Sequence, residues 1–115
     1  MRRVNEAMRA VLAEAVPTLK DPRIGFVTVT GVVTTTDLEH ATVYVSVLGS
    51  EKKLRATLAG LQAAHGVLQA RIGRELRLRR TPRLTFEYDP TVERGMRLSK
   101  LIDEVTPRDD AADAS

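Results

Sequence analysis

The sequence predicts an α+β domain with the element order α-β-β-α-α-β-α. Three observations carry that reading. Two β-branched runs, residues 25–36 and 41–48, flank the short turn Asp37-Leu38-Glu39-His40, which makes them an antiparallel hairpin. Leu54, Leu58, Leu61, Leu68, Ile72 and Leu76 step by four, three, seven, four and four, as one face of helical structure does. A third strand pattern alternates through Leu84-Thr85-Phe86-Glu87-Tyr88.

The first element follows from Val4, Met8, Val11, Leu12, Ala15 and Val16, which recur at helical spacing while Arg2, Arg3, Glu6, Arg9 and Glu14 fall mostly elsewhere on the wheel. A helix is expected over residues 3–16, ended or kinked by Pro17, which lacks a backbone donor. Asp21-Pro22-Arg23 reads as a turn, because a residue before proline avoids the helical region. Gly31, inside the first strand, marks a bulge or a close approach. The second strand places Val43, Val45 and Val47 on one face and Tyr44 and Ser46 on the other. Gly49-Ser50 ends it, with Ser50 suited to cap the next helix.

The leucine ladder then admits two readings. Its periodicity describes one long helix; Gly60, Gly66 and Gly73 interrupt it, each at a cost of about 1 kcal/mol relative to alanine. Either the helix breaks, with Gly66 the favoured position, or the glycines allow close packing. Thr81-Pro82 bounds the third strand, Asp89-Pro90-Thr91 turns the chain, and Leu98, Leu101, Ile102 and Val105 predict a short final helix. Residues 1–105 thus form one domain, and the polar, Asp-rich residues 106–115 are expected to be a disordered acidic tail.

Composition narrows the function classes. A chain of 115 residues fits one domain. With no cysteine there is no disulfide framework, thiolate nucleophile or Cys-based zinc site, and a cytoplasmic setting is expected. No apolar run approaches the roughly 20 residues of a membrane span, and the charged amino terminus lacks a signal-peptide core. His40 and His65 share no metal-ligand spacing, the serines sit in no nucleophile-elbow pattern, and there is no phosphate-binding Gly-rich loop. No catalytic residue, metal or cofactor is therefore assigned, and no small-molecule substrate is expected.

Charge points the other way. Between Lys52 and Arg83 lie nine Lys or Arg residues against one acid, Glu75, a balance of about +8. Residues 103–115 hold five acids and one base, a balance of −4, so the formal +3 of the whole chain leaves +7 on the rest. A basic body of this kind suits an anionic partner. On a helix starting near Gly66, Arg71, Arg74 and Arg77 form a stripe opposite Leu68, Ile72 and Leu76. Guanidinium groups bind phosphates bidentately, and the amides of Gly66, Val67 and Leu68 would add an anion site at the helix start. Aromatic residues make up only 3% of the chain, so base stacking on an aromatic sheet is disfavoured and phosphate and shape contacts should dominate.

The chain resembles the bacterial ribosome-binding factor A family. The resemblance rests on Arg3-Val4-Asn5-Glu6, Asp21-Pro22-Arg23-Ile24-Gly25-Phe26-Val27-Thr28-Val29-Thr30 and Asp37-Leu38-Glu39-His40-Ala41-Thr42-Val43-Tyr44-Val45. It continues through Ala64-His65-Gly66, Arg79-Arg80-Thr81-Pro82-Arg83-Leu84-Thr85-Phe86 and Glu93-Arg94-Gly95-Met96-Arg97-Leu98. It implies a type II KH-like fold, α-β-β-α-kink-α-β, in which Ala64-His65-Gly66 resembles the family's Ala-x-Gly kink, replacing the Gly-x-x-Gly clamp of ordinary KH domains. That favours a break near Gly66. It also implies a non-enzymatic partner of the free 30S subunit and its 16S rRNA, acting in late assembly, rRNA maturation and growth in the cold, and expected to act as a monomer. Ala64, His65, Gly66, Arg71, Arg74, Arg77, Arg79 and Arg80 are the candidate RNA-binding residues. A protein-interaction module and a small nuclease or phosphohydrolase are the competing classes.

Overall fold

A computed structural model describes residues 2–89 of the chain. Helix α1 (Arg2–Ala15) passes into a 3-10 turn (Val16–Thr18) at Pro17. Strands β1 (Val27–Thr34) and β2 (His40–Val47) form the expected hairpin. Helices α2 (Glu51–Ala63) and α3 (His65–Leu76) follow, and β3 (Arg83–Tyr88) closes the sheet. The expected final helix at Leu98, Leu101, Ile102 and Val105, and the acidic tail, lie outside the described residues.

The sheet order is β1-β2-β3, with β1 antiparallel and β3 parallel to the central β2. A parallel partner must return by a crossover, and α2 and α3 supply it. This is the KH-like arrangement that the resemblance implied. The register slips between Val29 and Gly31, leaving Thr30 as the extra residue of a bulge. Nothing lies within 4 Å of where a Gly31 Cβ would be, so the bulge reading holds and the close-approach one does not.

The described helices all pack on one side of the sheet. Alternation directs Val29, Val32, Ala41, Val43, Val45, Leu84 and Phe86 to that side. They meet Met8, Val11, Leu12 and Ala15 of α1, Leu61 of α2, and Leu68 and Ile72 of α3 in one core. Two polar ties fix the ends. Asn5 Oδ1 accepts hydrogen bonds from the Thr34 amide (3.1 Å) and hydroxyl (2.7 Å), pinning the start of α1 to the end of β1. Ser50 caps α2 by accepting from the Lys53 amide (3.2 Å).

The outer edge of β3 would expose unpaired backbone groups, and two glutamines meet them. Gln62 donates to the Leu84 carbonyl (3.0 Å) and accepts from the Phe86 amide (3.3 Å), and Gln69 donates to the Pro82 carbonyl (2.8 Å). Side chains from α2 and α3 thus satisfy a strand edge that would otherwise template further pairing.

The helix break falls at Ala64, not at Gly66. Ala64 has φ −91° and ψ 6°, in the bridge region between helix and strand, and is at once the C-cap of α2 and the N-cap of α3. Gly66 sits inside α3 with nothing near its would-be Cβ. The other two glycines are packing glycines: a Cβ on Gly60 would lie 2.7 Å from Ile24 Cγ1, and one on Gly73 would lie 2.8 Å from Thr81 Cγ2. The helix therefore does break, but at Ala64 two residues before the expected Gly66, and the close-packing reading holds at Gly60 and Gly73.

Candidate nucleic-acid interface

The fold gathers basic side chains at one end. His40 pairs with Arg83 in the β2–β3 register, and the Arg83 amide donates to the Glu39 carbonyl (2.8 Å). The link from α3 to β3, carrying Arg77, Arg79 and Arg80, therefore lies beside the β1–β2 turn. Through the Asn5–Thr34 tie, α1 begins at this end too, which brings Arg2 and Arg3 to it. Arg74, Arg77, Arg79, Arg80 and Arg83 are all exposed. Arg2, Arg3 and Arg83 are members of this end that the helix-wheel reading did not include, because only the strand register shows which termini meet.

The expected stripe Arg71-Arg74-Arg77 is not a helical stripe. Arg71 lies on the flank of α3, half-buried, and its guanidinium is engaged by Glu75 one turn on. That i,i+4 spacing was readable in the sequence and weakens Arg71 as a phosphate ligand. Arg74 points away from the buried Leu68 and Ile72 face. Arg77 stands beyond the helix, at φ 54° and ψ 42°, as its left-handed cap. Its amide and that of Leu78 both donate to the Gly73 carbonyl, the latter at 3.1 Å. The cap reverses the chain and carries Arg79 and Arg80 back toward the hairpin.

A cleft of about 720 Å³ separates the two segments, lined by Asp37, Leu38, Glu39, Gln69, Leu78, Arg79, Arg80, Thr81 and Arg83. Its hairpin wall is built by Asp37, which accepts from the Thr35 hydroxyl (2.5 Å) and the Glu39 amide (2.9 Å). Those two bonds, the hydroxyl first, hold the Asp37 carboxyl below its ordinary range. Leu38, at φ 61°, sits at the turn of this wall. Leu38 and Arg77 are the non-glycine residues at positive φ among the described residues, and both border this end.

The kink residues lie apart from this end. Helix α3 has 12 residues, about 18 Å at 1.5 Å per residue, so Ala64, His65 and Gly66 stand roughly that far from the α3–β3 link. His65 Nδ1 is 2.8 Å from the Gln62 carbonyl. A carbonyl only accepts, so the proton is on Nδ1. Leu68 is no free donor, since its amide bonds the Ala64 carbonyl (3.1 Å). The amides that open α3 are those of His65, Gly66 and Val67, on exposed residues, one position earlier than the sequence reading placed them. Exposed backbone amides and exposed arginines thus sit at the two ends of one helix.

A third feature is neutral. Arg23 forks onto Asp21 with contacts of 3.0 and 2.6 Å, and the Arg23 amide adds a bond of 2.9 Å. The guanidinium, then the amide, pulls the Asp21 carboxyl down to about 2, and the carboxylate raises Arg23. The fork sits in the turn closed by the Ile24 amide and the Asp21 carbonyl (3.0 Å). Buried Thr57 accepts from the Gly25 amide (3.2 Å) and so fastens that turn to α2. Arg23 is thereby occupied by structure. Among the described residues no group of three or more His, Cys, Asp or Glu could hold a metal ion, and no helix is long and apolar enough to cross a membrane.

Together these features define a KH-like domain whose inter-helix connection is one residue, too short for a Gly-x-x-Gly loop, and whose arginines collect past its third helix. The family model of ribosome-binding factor A matches residues 1–102, and the chain belongs to that family. It is 48% identical over 110 residues to ribosome-binding factor A of Thioalkalivibrio sulfidiphilus, covering 95% of this chain and 85% of that one. The crystal structure of ribosome-binding factor A from Thermus thermophilus superposes with a TM-score of 0.68 at 32% identity, covering 76% of this chain and 93% of the other. A Thermus thermophilus homology model fitted into the cryo-electron microscopy map of a 30S complex matches with a TM-score of 0.64 at 32% identity, over 75% and 91% of the two chains.

Proposed function

We propose that this protein is a non-enzymatic assembly factor that binds the free 30S subunit through 16S rRNA. The supporting observation is the end of the domain where Arg74, Arg77, Arg79, Arg80 and Arg83 stand exposed on three consecutive segments. The Thermus thermophilus relative fitted into a 30S complex gives the partner class. The arginines bind phosphates of a folded RNA junction, while the opening amides of α3 at His65, Gly66 and Val67 take a further phosphate about one helix length away. A site that fits one RNA arrangement better than another shifts the population toward it without covalent chemistry. That is the physical basis for assisting late maturation of 16S rRNA, most valuable at low temperature, where misfolded RNA rearranges slowly.

Co-sedimentation with free small subunits over a range of salt tests this reading. Binding weakens steeply with salt, and each phosphate-contacting arginine removed lowers the magnitude of the log–log slope by about 0.7–0.9. The Arg74→Glu/Arg77→Glu variant separates RNA contact from the protein-interaction alternative: under the alternative it binds as the parent does. Salt-insensitive binding would count against the whole proposal.

A further inference from the structure

The described helices pack on one face of the sheet, and the other face carries the two most exposed large apolar side chains of the described residues, Phe26 and Leu48, together with Val33. Phe26 is 80% exposed, Leu48 75% and Val33 56%. All three belong to the side away from the core. Their neighbours Val27, Val47, Val32 and Thr34 face the helices, and alternation turns them outward. Phe26 and Leu48 are cross-strand partners, since the Leu48 amide donates to the Phe26 carbonyl (3.1 Å) one step beyond the Val27–Val47 pair. Half-buried Tyr44 lies between them and Val33 along the same face. The outward Thr28–Ser46 pair separates Phe26 and Leu48 from Tyr44, so the face carries exposed apolar side chains with small hydroxyl residues among them, the composition of a contact surface.

The end of β3 and the sequence that follows it supply an occupant. Asp89 continues the outward alternation of Thr85 and Glu87, its amide donates to the Val45 carbonyl (2.8 Å), and its carboxylate accepts from the Thr30 hydroxyl (2.6 Å). That last bond reaches over the central strand to β1, so the last described residue has its side chain on the open face. Nine residues on come Leu98, Leu101, Ile102 and Val105, at spacing i, i+3, i+4, i+7, the pattern of one apolar face. Nine residues span up to about 30 Å, and strands of eight residues are about 26 Å long. The stretch therefore reaches any part of this face.

We infer that the open sheet face is the docking surface for the chain's own residues 98–105, with Leu98, Leu101, Ile102 and Val105 covering Phe26, Tyr44 and Leu48. The inference is independent of RNA binding. It leaves the α3–β3 end, not the sheet, as the exposed polyanion-facing surface.

The absence of native cysteine allows a clean test. A nitroxide on Ser99→Cys in the full chain broadens the amide resonances of Thr28, Ser46 and Leu48 far more than those of Met8 and Leu12 on the opposite side. Adding Leu101→Asp/Ile102→Asp restores those resonances and raises hydrogen exchange of β1 and β2, while residues 2–89 stay folded. Unaltered intensities on the open face, or broadening strongest on the helical side, would overturn the inference. So would broadening that appears equally when labelled chains are mixed with unlabelled, isotope-enriched ones, since the occupant is then a second copy.

Discussion

Arg77 occupies a backbone position that L-residues other than glycine avoid at a cost of about 1–2 kcal/mol. Glycine relieves that cost but adds freedom to the unfolded chain, so Arg77→Gly should stabilise the fold by about 0.5–1 kcal/mol in urea unfolding. If the guanidinium contacts RNA, the same variant binds subunits more weakly. Gain of stability with loss of binding is the expected pair; unchanged binding would remove Arg77 from the interface. Asp21 offers a second test. Its folded carboxyl is held near 2 and its ordinary value is 3.8, so its contribution is fully present above about 4 and is lost as pH falls from there toward 2. Asp21→Asn should therefore lower stability at neutral pH and flatten the acid limb of the unfolding profile in that window. An acid limb identical to the parent's would show that the fork contributes nothing.

Among the elements, the glycines make the sharpest contrast. Gly60→Ala and Gly73→Ala place a methyl group against Ile24 and Thr81 at distances real Cβ atoms do not adopt, and each should cost about 1–3 kcal/mol. Gly66→Ala meets open space inside a helix and should be neutral or stabilising by up to about 1 kcal/mol, with subunit binding retained. Thermal unfolding of the three variants checks the order, and a destabilised Gly66→Ala would return the break to Gly66. This contrast also shows what the sequence discloses. The hairpin, the bulge at Gly31, the Ser50 cap and the stop at Pro17 are local, and local chemistry announces them. What makes Gly60 and Gly73 necessary is a neighbour brought close by folding, and what breaks the helix is Ala64, a strong helix former with no local reason to stop one. The glutamines along β3 read as surface residues until the crossover lays them on the strand edge. Arg71 is the converse case, since Glu75 four residues on was visible throughout.

Over the whole molecule the question is whether RNA is attracted by net charge or by the arginine end. Lys20 and Lys52 are exposed near the opposite end, where β1 begins and β2 passes into α2, whereas Arg79 and Arg80 line the cleft beside the hairpin. Lys20→Glu/Lys52→Glu and Arg79→Glu/Arg80→Glu change the formal charge equally, by four, from +3 to −1. Long-range attraction responds alike to both, and at physiological salt it is screened beyond about 8 Å. Direct phosphate contact responds only where the contact is made. The arginine pair should therefore abolish co-sedimentation with small subunits at moderate salt and flatten the salt slope by close to two units. The lysine pair should slow association modestly and leave the slope near that of the parent. Equal losses from the two variants would mean that the protein is held by its overall field, and that the clustering of arginines past α3 has no part in recognition.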